Sequence, residues 1–443
     1  MLIDKQTLSD LDIFKPDEND LTVFGLIDKT KTAGGKYRLR EKLLHPPQNM
    51  DDLLQQQDVI RFLSCNPVEY KLPFHIRQIK TVELYISSNI EITKKFDFFT
   101  CAKFYLTDSN AFKEIKQSII EVVNFIATFK AYLDTKMNGV LPLILENLRN
   151  DIFNFAHNAN LQPIMKKGCF KGLALAEVLK SDMILRTELE PALRNILNWC
   201  YELEALLSMA DTVAENNFNF PSFTGNKGTF FHAEGLFHPL LENPVPYDIG
   251  LKKNSNFVFL TGPNMAGKTT FLKAAGIAVY LAHLGMGIPA RKADLGYFDR
   301  LFSSINIPDG VLKGYSYFFS EVKRVKELAG LLHSGERVFS LFDELFRGTN
   351  VKDAYDATVL IISGLAAWHD SVFILSSHLW EIHNDIGDFD NIRNYYFDSE
   401  IRMGKPVFNY HLKPGVSTMR LGMTIINNEE IMELLHSKKV LND

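Results

Sequence analysis

Eight consecutive residues carry the clearest chemical signal in this chain. They match the pattern G-x-x-x-x-G-K-[ST] position by position and read Gly262, Pro263, Asn264, Met265, Ala266, Gly267, Lys268 and Thr269. The two glycines let the backbone curl until successive N–H groups point at one anion. In such a loop Lys268 reaches the β and γ phosphates, and Thr269 offers its hydroxyl to Mg²⁺. The segment, with the adjoining Thr270, predicts a binding site for a nucleoside triphosphate.

The residues on either side give this loop the context that it requires. Phe257 to Leu260 is an apolar run that predicts a strand, and from Thr270 to Leu284 the apolar residues recur at helical spacing. Strand, loop and helix in this order bring the positive end of the helix dipole to the loop. A match of eight residues can arise by chance, but the flanking pattern favours nucleotide binding.

A second candidate pair, Asp343 and Glu344, follows the apolar run from Val338 to Phe342. The run predicts a buried strand. Asp343 at its carboxyl end is suited to hold Mg²⁺ together with Thr269, and Glu344 to act as general base on the attacking water. An Asp-Glu pair alone is more typical of a solvated loop, and the upstream phosphate loop is what favours catalysis.

A third apolar run, from Val372 to Leu375, ends in Ser376, Ser377 and His378. A lone histidine is more often structural or exposed. Because His378 follows a strand that comes after the acidic pair, we favour a role for it as a sensor of the γ-phosphate. Because strand ends gather at one edge of an open α/β sheet, we expect these residues to share one site.

Together these segments resemble the MutS family of DNA mismatch-repair ATPases, which belong to the ABC-type branch of phosphate-loop proteins. The stretch from Thr261 to Thr269 is similar to the family's T-G-P-N-M-x-G-K-[ST]. Asp343 to Asn350 resembles D-E-L-x-R-G-T-[SN], and Ser377-His378 resembles its [TS]-H switch. Between them, Asp309-Gly310 and the stretch from Ser316 to Glu321 resemble D-x-x-x-x-G-x-S-T-F-x-x-E-M. The resemblance implies ATP and Mg²⁺ as cofactors and ATP hydrolysis as the activity.

Weaker resemblance extends upstream and defines two predicted domains. The run Phe237-His238-Pro239 is similar to the family's entry to the ATPase domain, and Asp28 to Leu39 resembles the start of its core domain. We predict an α-helical core and lever region over residues 1–232, followed by an α/β phosphate-loop ATPase domain with a mostly parallel sheet over 233–443. Helical spacing of apolar residues from Ala111 to Lys136, and again after Pro191, supports the helical part.

The chain also departs from the family pattern. Ala266 stands where the family usually has glycine in the phosphate loop, which is a small change if the backbone there keeps φ negative. Phe346 stands where the family usually has glycine after the acidic pair. Val245-Pro246 stands where relatives often stack an aromatic ring on adenine, so the adenine contacts are not defined. The resemblance to the family begins at about its core domain. We therefore expect this sequence to contain neither the family's mismatch-reading domain nor its connector domain.

The resemblance implies a homodimer in which two ATPase domains meet head to tail and enclose ATP between them. Ser316 would then contact the γ-phosphate held by the partner subunit. It could equally cap the helix that the apolar spacing from Phe319 to Leu328 predicts, and the two roles are compatible.

Composition narrows the setting. A net charge of −5 opposes nucleic-acid binding through bulk electrostatics. Local basic runs remain, one of Lys29, Lys31, Lys36, Arg38, Arg40 and Lys42 and one of Lys166, Lys167 and Lys171, although such runs are more often solvated surface. The four cysteines share no metal-ligand spacing, and no apolar run has the length of a membrane span, which favours a reducing, cytoplasmic setting without a membrane.

Two classes of function follow. In the first, the chain is an ATP-dependent DNA-binding protein of mismatch repair or recombination that recognises structured DNA. In the second, it is an ATP-switched interaction protein without intrinsic DNA affinity. The motifs favour the first, whereas the acidic charge favours the second.

Overall fold

The computed structural model describes residues 1–15, 21–67, 69–166, 174–223, 229–306, 317–402 and 405–417. The chain forms two compact units that are interleaved in sequence. The sheet unit comprises Met1–Leu26, Leu44–Leu53 and Glu215–Asp443, and the helical unit comprises Ile27–Leu43 and Leu54–Ala214. The division at residue 232 stays a prediction.

The strands of the described residues are β1 Leu2–Ile3, β2 Ser222–Phe223, β3 Phe231–Leu236, β4 Tyr247–Leu251, β5 Phe257–Thr261, β6 Lys292–Leu295, β7 Arg300–Ser304, β8 Val338–Asp343, β9 Val372–Ser377, β10 Ile392–Arg402 and β11 Lys405–Pro414. Seven of them form one sheet in the order β1-β7-β8-β9-β5-β10-β11. All neighbours in this sheet pair in parallel except β10 and β11, which are antiparallel. The other four form a second sheet in the order β2-β6-β3-β4.

The central strands are buried on both faces, which explains their continuous apolar runs. Every residue of β5, β8 and β9 is buried, as expected for parallel strands covered by helices. Four described helices lie entirely within this unit, α1 Lys5–Asp10, α12 Lys268–His283, α13 Tyr317–His333 and α14 Val351–Ala366, with a 3₁₀ turn at Trp380–Asn384. The three strands and the helix predicted around the motifs are confirmed.

The other helices of the described residues are α2 Val23–Ile27, α3 Ala33–Leu44, α4 Met50–Ser64, α5 Ile76–Ile86, α6 Phe98–Thr107, α7 Ser109–Lys136, α8 Leu143–Ala156, α9 Gln162–Lys166, α10 Leu175–Met183 with a π-helical continuation Ile184–Glu188, and α11 Glu190–Glu215. The helical unit is built around α7, which contacts α5, α6, α8 and α10. The long helices predicted from apolar spacing correspond to α7 and α11. A helical region followed by a mostly parallel α/β region is therefore confirmed.

Helices α3 and α11 approach each other closely at two glycines. A Cβ on Gly34 would lie 2.4 Å from the Tyr201 ring, and one on Gly35 would lie 1.9 Å from Glu204 Oε2. Glu204 is buried and accepts hydrogen bonds from the backbone N–H groups of Lys31, at 2.6 Å, and Thr32, at 3.1 Å. The carboxylate thus holds the start of α3, and only glycine leaves room for it.

The first basic run is partly neutralised within the helical unit. Lys36 pairs with Asp28 at 3.2 Å, while Arg38 and Lys42 both pair with Glu202. Burial raises the pKa of Glu202, but the two cations outweigh it and hold the pKa below its usual range. This part of the run serves the packing of α3 on α11. In the second run, Lys167 and Lys171 lie outside the described residues.

Three further observations concern the described part of the chain alone. None of its helices is long and apolar enough to cross a membrane. Its three cysteines, Cys65, Cys101 and Cys200, are free thiols. It contains no group of three or more His, Cys, Asp or Glu side chains arranged to hold a metal ion.

We expect Gly35→Ala to lower the free energy of unfolding of the helical unit by about 1–3 kcal/mol, because the new methyl group collides with a fixed carboxylate. Urea denaturation followed by circular dichroism measures the effect. Gly364→Ala is the matched control, since Gly364 lies in α14 with nothing within 4 Å of its Cβ position. It should leave stability unchanged or raise it by up to about 1 kcal/mol. Equal stability of the two variants would contradict the close contact between Gly35 of α3 and Glu204 of α11.

Candidate active site

A cavity of about 600 Å³ opens at the carboxyl edge of the large sheet. It is lined by Leu241, Asn243, Val245, Tyr247, Pro263, Asn264, Met265, Gly267, Lys268, Thr269, Thr270, Asn306, Asp343, Glu344, Arg347 and Tyr410. Most of the predicted site residues thus meet in one place. A volume of this size suits a small-molecule ligand such as a nucleotide.

The loop between β5 and α12 depends on backbone conformations that favour glycine. Gly262 has φ 147° and Gly267 has φ 109°, so a side chain at either position would be strained. Met265 also has a positive φ, 68°, and its side chain is 77% exposed. Ala266 is fully buried and is not among the residues with positive φ. Alanine is therefore accommodated there without strain.

Lys268 is held over this loop by the loop's own carbonyl groups. Its Nζ donates to Gly262 O at 2.8 Å and to Pro263 O at 3.2 Å, and lies 3.5 Å from Glu344 Oε1. The residue is only 5% exposed, and burial lowers its pKa, although the neighbouring carboxylates oppose the shift. A largely desolvated cation at the start of a helix is an environment that attracts an anion.

Asp343 joins three segments at the end of β8. Its Oδ2 accepts a hydrogen bond from Thr269 Oγ1 at 2.6 Å, and its Oδ1 accepts one from Ser376 Oγ. Its backbone carbonyl accepts a hydrogen bond from Arg347 at 2.9 Å. The two predicted metal ligands, Thr269 and Asp343, are therefore in direct contact.

Glu344 lies among basic side chains. Arg347 Nε is 3.2 Å from its Oε2, His378 Nδ1 is 3.5 Å from the same oxygen, and Lys268 lies on the other side. Burial raises the pKa of Glu344, but His378, Arg347 and Lys268 outweigh it and lower the pKa to about 2. The carboxylate is consequently ionised throughout the neutral pH range.

The loop after Glu344 is fixed by Glu321 of α13. Glu321 Oε1 accepts hydrogen bonds from the backbone N–H of Phe346 at 2.8 Å and of Arg347 at 3.4 Å. Its Oε2 is buried without a hydrogen-bond partner in the described part of the chain. Burial raises the pKa of Glu321 despite these backbone donors. The helix α13 is thereby connected to the loop that carries Glu344.

Four predicted site residues differ from the others, three because they do not line the cavity and one because it is not described. His378 is 55% exposed at its side chain, contacts Glu344 and does not line the cavity. Gly262 and Ala266 likewise shape the loop from outside the cavity wall. Ser316 lies outside the described residues, as do Asp309 and Gly310.

Sequence reasoning missed Tyr410 and Asn306 as cavity residues. Tyr410 is on the antiparallel edge strand β11, has φ 56° and is 42% exposed. It faces the cavity together with Tyr247, whose pKa burial raises to about 12. A non-glycine residue with positive φ at a cavity was detectable only from the fold.

Comparison with known proteins decides the family. A model described as MutS domain III matches residues 6–210, and one described as MutS domain V matches residues 258–438. The chain belongs to the MutS family.

Curated relatives share the family name but are much longer. The DNA mismatch repair protein MutS of Anaplasma phagocytophilum (strain HZ) is 31% identical over 227 residues, which are 51% of this chain and 27% of that protein. MutS of Synechococcus sp. (strain CC9902) is 30% identical over 227 residues, 50% of this chain and 25% of the relative. MutS of Lactobacillus johnsonii is 27% identical over 244 residues, 53% and 28% respectively. The chain thus spans about a quarter of the length of these relatives.

Within the MutS family pattern, the usual glycine at the position of Phe346 has a clear backbone reason. Phe346 has φ 64° and is only 3% exposed, with its ring 5.5 Å from that of Phe318. The left-handed conformation costs a non-glycine residue about 1–2 kcal/mol. Truncating a buried phenylalanine side chain costs more than this, about 3–5 kcal/mol including the cavity that is left. Packing therefore outweighs backbone strain in this chain.

We expect Phe346→Gly to destabilise the sheet unit by about 2 kcal/mol or more, even though it restores the common family residue. Thermal unfolding followed by circular dichroism measures the loss. Asn217→Gly is the matched control, because Asn217 has φ 52° but is exposed. That variant should stay within about 0.5 kcal/mol of the wild type. A more stable Phe346→Gly variant would show that strain dominates.

Proposed function

We propose that this MutS-family chain is a Mg²⁺-dependent ATPase, and that ATP hydrolysis drives its rearrangement on structured DNA in mismatch repair or recombination. The observation that supports the ATPase most is the contact of Thr269 Oγ1 with Asp343 Oδ2 at 2.6 Å, in the cavity that Lys268 and Glu344 also line. Other residues of the phosphate-binding segment line the same cavity, namely Pro263, Asn264, Met265, Gly267 and Thr270.

The loop and α12 supply the binding energy for the phosphates. Backbone N–H groups of the curled loop and the amino-terminal end of α12 present positive potential to an anion. Lys268 would exchange its contacts with Gly262 O and Pro263 O for phosphate oxygens. Tyr410 and Tyr247 offer aromatic surface for the base, in place of an aromatic residue at Val245.

The side chains present also fit Mg²⁺. This ion prefers hard oxygen ligands in octahedral geometry and uses one or two protein ligands plus phosphates and water. The Thr269 hydroxyl and the Asp343 carboxylate supply such oxygens, and Ser376 orients the carboxylate from behind. When bound, Mg²⁺ neutralises charge on the phosphates. Cage-like clusters of acidic residues are not required for this mode of binding.

Glu344 is proposed to orient and deprotonate the attacking water. A carboxylate with a pKa of about 2 is ionised but is a weak base. Transfer of the Lys268 charge from Glu344 to a phosphate would raise that pKa and make proton transfer more favourable. His378 and Arg347 hold the carboxylate from the other side and restrict its orientation. His378 would also sense the γ-phosphate.

The proposal includes a homodimer with composite ATP sites. Helix α13 begins at Tyr317, directly after Ser316, and exposes Phe319 and Val322 to 42% and 37%. Exposed apolar side chains at that end are consistent with a protein contact. Ser316 of a partner subunit would then approach the γ-phosphate. The free thiols Cys65, Cys101 and Cys200 are consistent with a reducing cytoplasm, which remains part of the proposal.

One observation favours the second candidate, an ATP-switched interaction protein without intrinsic DNA affinity. Helix α6 exposes Phe98 and Phe99 to 78% and 83%, with Leu106 at 81%. Such a cluster is more suited to an apolar protein partner than to phosphates. We retain DNA as the preferred partner because the family models match over most of the chain.

We expect Glu344→Gln to bind ATP normally but to reduce its hydrolysis by about 10²–10⁴-fold, the usual contribution of a general base. Lys268→Ala should lose binding as well. Equilibrium binding of a fluorescent ATP analogue and release of inorganic phosphate measure the two steps. Glu336→Gln, which removes a charge paired with Arg300, serves as control and should change neither. Equal loss of ATP binding in the Glu344 and Lys268 variants would contradict these roles.

We expect the Glu344→Gln variant with ATP to bind a four-way junction or a single-mismatch duplex more tightly than homoduplex DNA. Fluorescence anisotropy at one moderate salt concentration measures the three affinities, because salt changes all phosphate contacts. Nucleotide binding by the same preparation is the control. Bound ATP without affinity for any of the three DNAs would replace the DNA proposal by the interaction protein.

A further inference from the structure

The first residues of the chain form an arm, residues 4–13, that packs on the sheet unit beside the cavity. Buried Asp10 is 1% exposed, and its carboxylate binds the end of β7. Its Oδ2 accepts hydrogen bonds from Ser303 Oγ at 2.6 Å and Ile305 N at 2.9 Å, and its Oδ1 accepts one from Asn306 N at 3.0 Å. No sequence motif pointed to this contact, which joins residues almost 300 positions apart.

A second side chain of the arm completes the arrangement. Gln6 Nε2 donates to Asp10 Oδ1 at 2.8 Å and to Asn306 O at 2.8 Å. Both backbone polar groups of Asn306 are therefore bound by the arm. A residue that leaves a strand with its N–H and C=O both fixed has little freedom to reorient. Asn306 is exposed, and it lines the nucleotide cavity.

Strand order locates Asn306 within the cavity. Strand β7 neighbours β8, whose end carries Asp343, while Tyr410 is on β11 at the opposite edge of the sheet. Asn306 therefore belongs to the side of the cavity that holds the proposed metal ligands, and Tyr410 belongs to the side proposed for the base. The arm also reaches α12, where Asp12 pairs with Lys273 at 2.6 Å.

We propose that Asn306 binds the terminal phosphate of the nucleotide through its side-chain amide, and that Asp10 and Gln6 position it. A carboxamide N–H is a donor suited to a phosphate oxygen, and a hydrogen bond to a charged group is stronger than one between neutral groups. Asn306 is thus a ligand-contacting residue, whereas Asp10 is a positioning residue. The inference rests on the proposed ATPase function.

The test compares ATP with ADP. Asn306→Ala should weaken ATP binding and lower kcat, each by about tenfold or more, and should leave ADP binding within about twofold of the wild type, because ADP lacks the terminal phosphate. Titration of fluorescent ATP and ADP analogues, with and without Mg²⁺, and phosphate release supply the numbers. The exposed position of Asn306 makes a folding defect unexpected, and a melting temperature equal to that of the wild type verifies it.

A double-mutant cycle separates positioning from general stability. Asp10→Asn keeps the shape of the side chain but removes one of its acceptor oxygens. It should weaken ATP binding more than ADP binding, as Asn306→Ala does. The double variant should lose no more ATP affinity than Asn306→Ala alone, because both changes remove the same interaction, that of the Asn306 amide with the terminal phosphate. Asp4→Asn is the matched control: it keeps a helix-capping side chain in the arm and weakens the contacts with Arg324 and the Thr7 hydroxyl, which are separate from the hydrogen bonds to Asn306. It should retain the wild-type preference for ATP over ADP.

The outcomes distinguish the inference from the function on which it rests. If the wild type binds no ATP, both are wrong. If the wild type binds and hydrolyses ATP but Asn306→Ala does so equally well, only the inference is overturned. Additive losses in the double variant, or equal losses of ATP and ADP binding that follow the melting temperature, would show that Asp10 acts on stability and not on Asn306.

Discussion

The candidate site depends on one buried carboxylate, that of Asp343. It accepts hydrogen bonds from Thr269 at the start of α12 and from Ser376 in β9, so three segments meet at one atom group. Strand register makes this meeting possible, because Asp343 is opposite Ser376 in the parallel pair of β8 and β9. A slip of one residue would turn the carboxylate to the other face of the sheet. The apolar strands therefore determine the chemistry as well as the core.

The loop that follows Asp343 is held in a strained form by its surroundings. Glu344 and Phe346 both have left-handed φ angles, 57° and 64°. Such a backbone persists only where contacts outside the loop oppose its relaxation. Here the contacts are the Glu321 carboxylate on the backbone N–H groups and the burial of Phe346 beside Phe318. Since Glu321 and Phe318 both belong to α13, a displacement of this helix would change the position of Glu344.

The sequence was sufficient for those parts of the site that local patterns encode. Strands β5, β8 and β9 were predictable because each is a continuous apolar run that ends in polar residues, and α12 because its apolar residues recur at helical spacing. Asn306 and Tyr410 were not predictable. Their places in the cavity follow from the pairing of strands that are distant in sequence, and β1, which precedes the arm, is only two residues long.

Electrostatics limit how the chain could hold DNA. The net charge is −5, and the first basic run is partly neutralised by Asp28 and Glu202. Phosphate contacts raise affinity by releasing counterions, and paired cations contribute less to this effect than free ones. A nonspecific grip on duplex DNA is therefore disfavoured. Affinity would have to come from a particular DNA shape, from a second subunit that doubles the contacts, or from an apolar partner at Phe98 and Phe99 of α6. The proposed closure of a dimer around ATP would satisfy the second condition, and nucleotide occupancy would then decide whether DNA is bound.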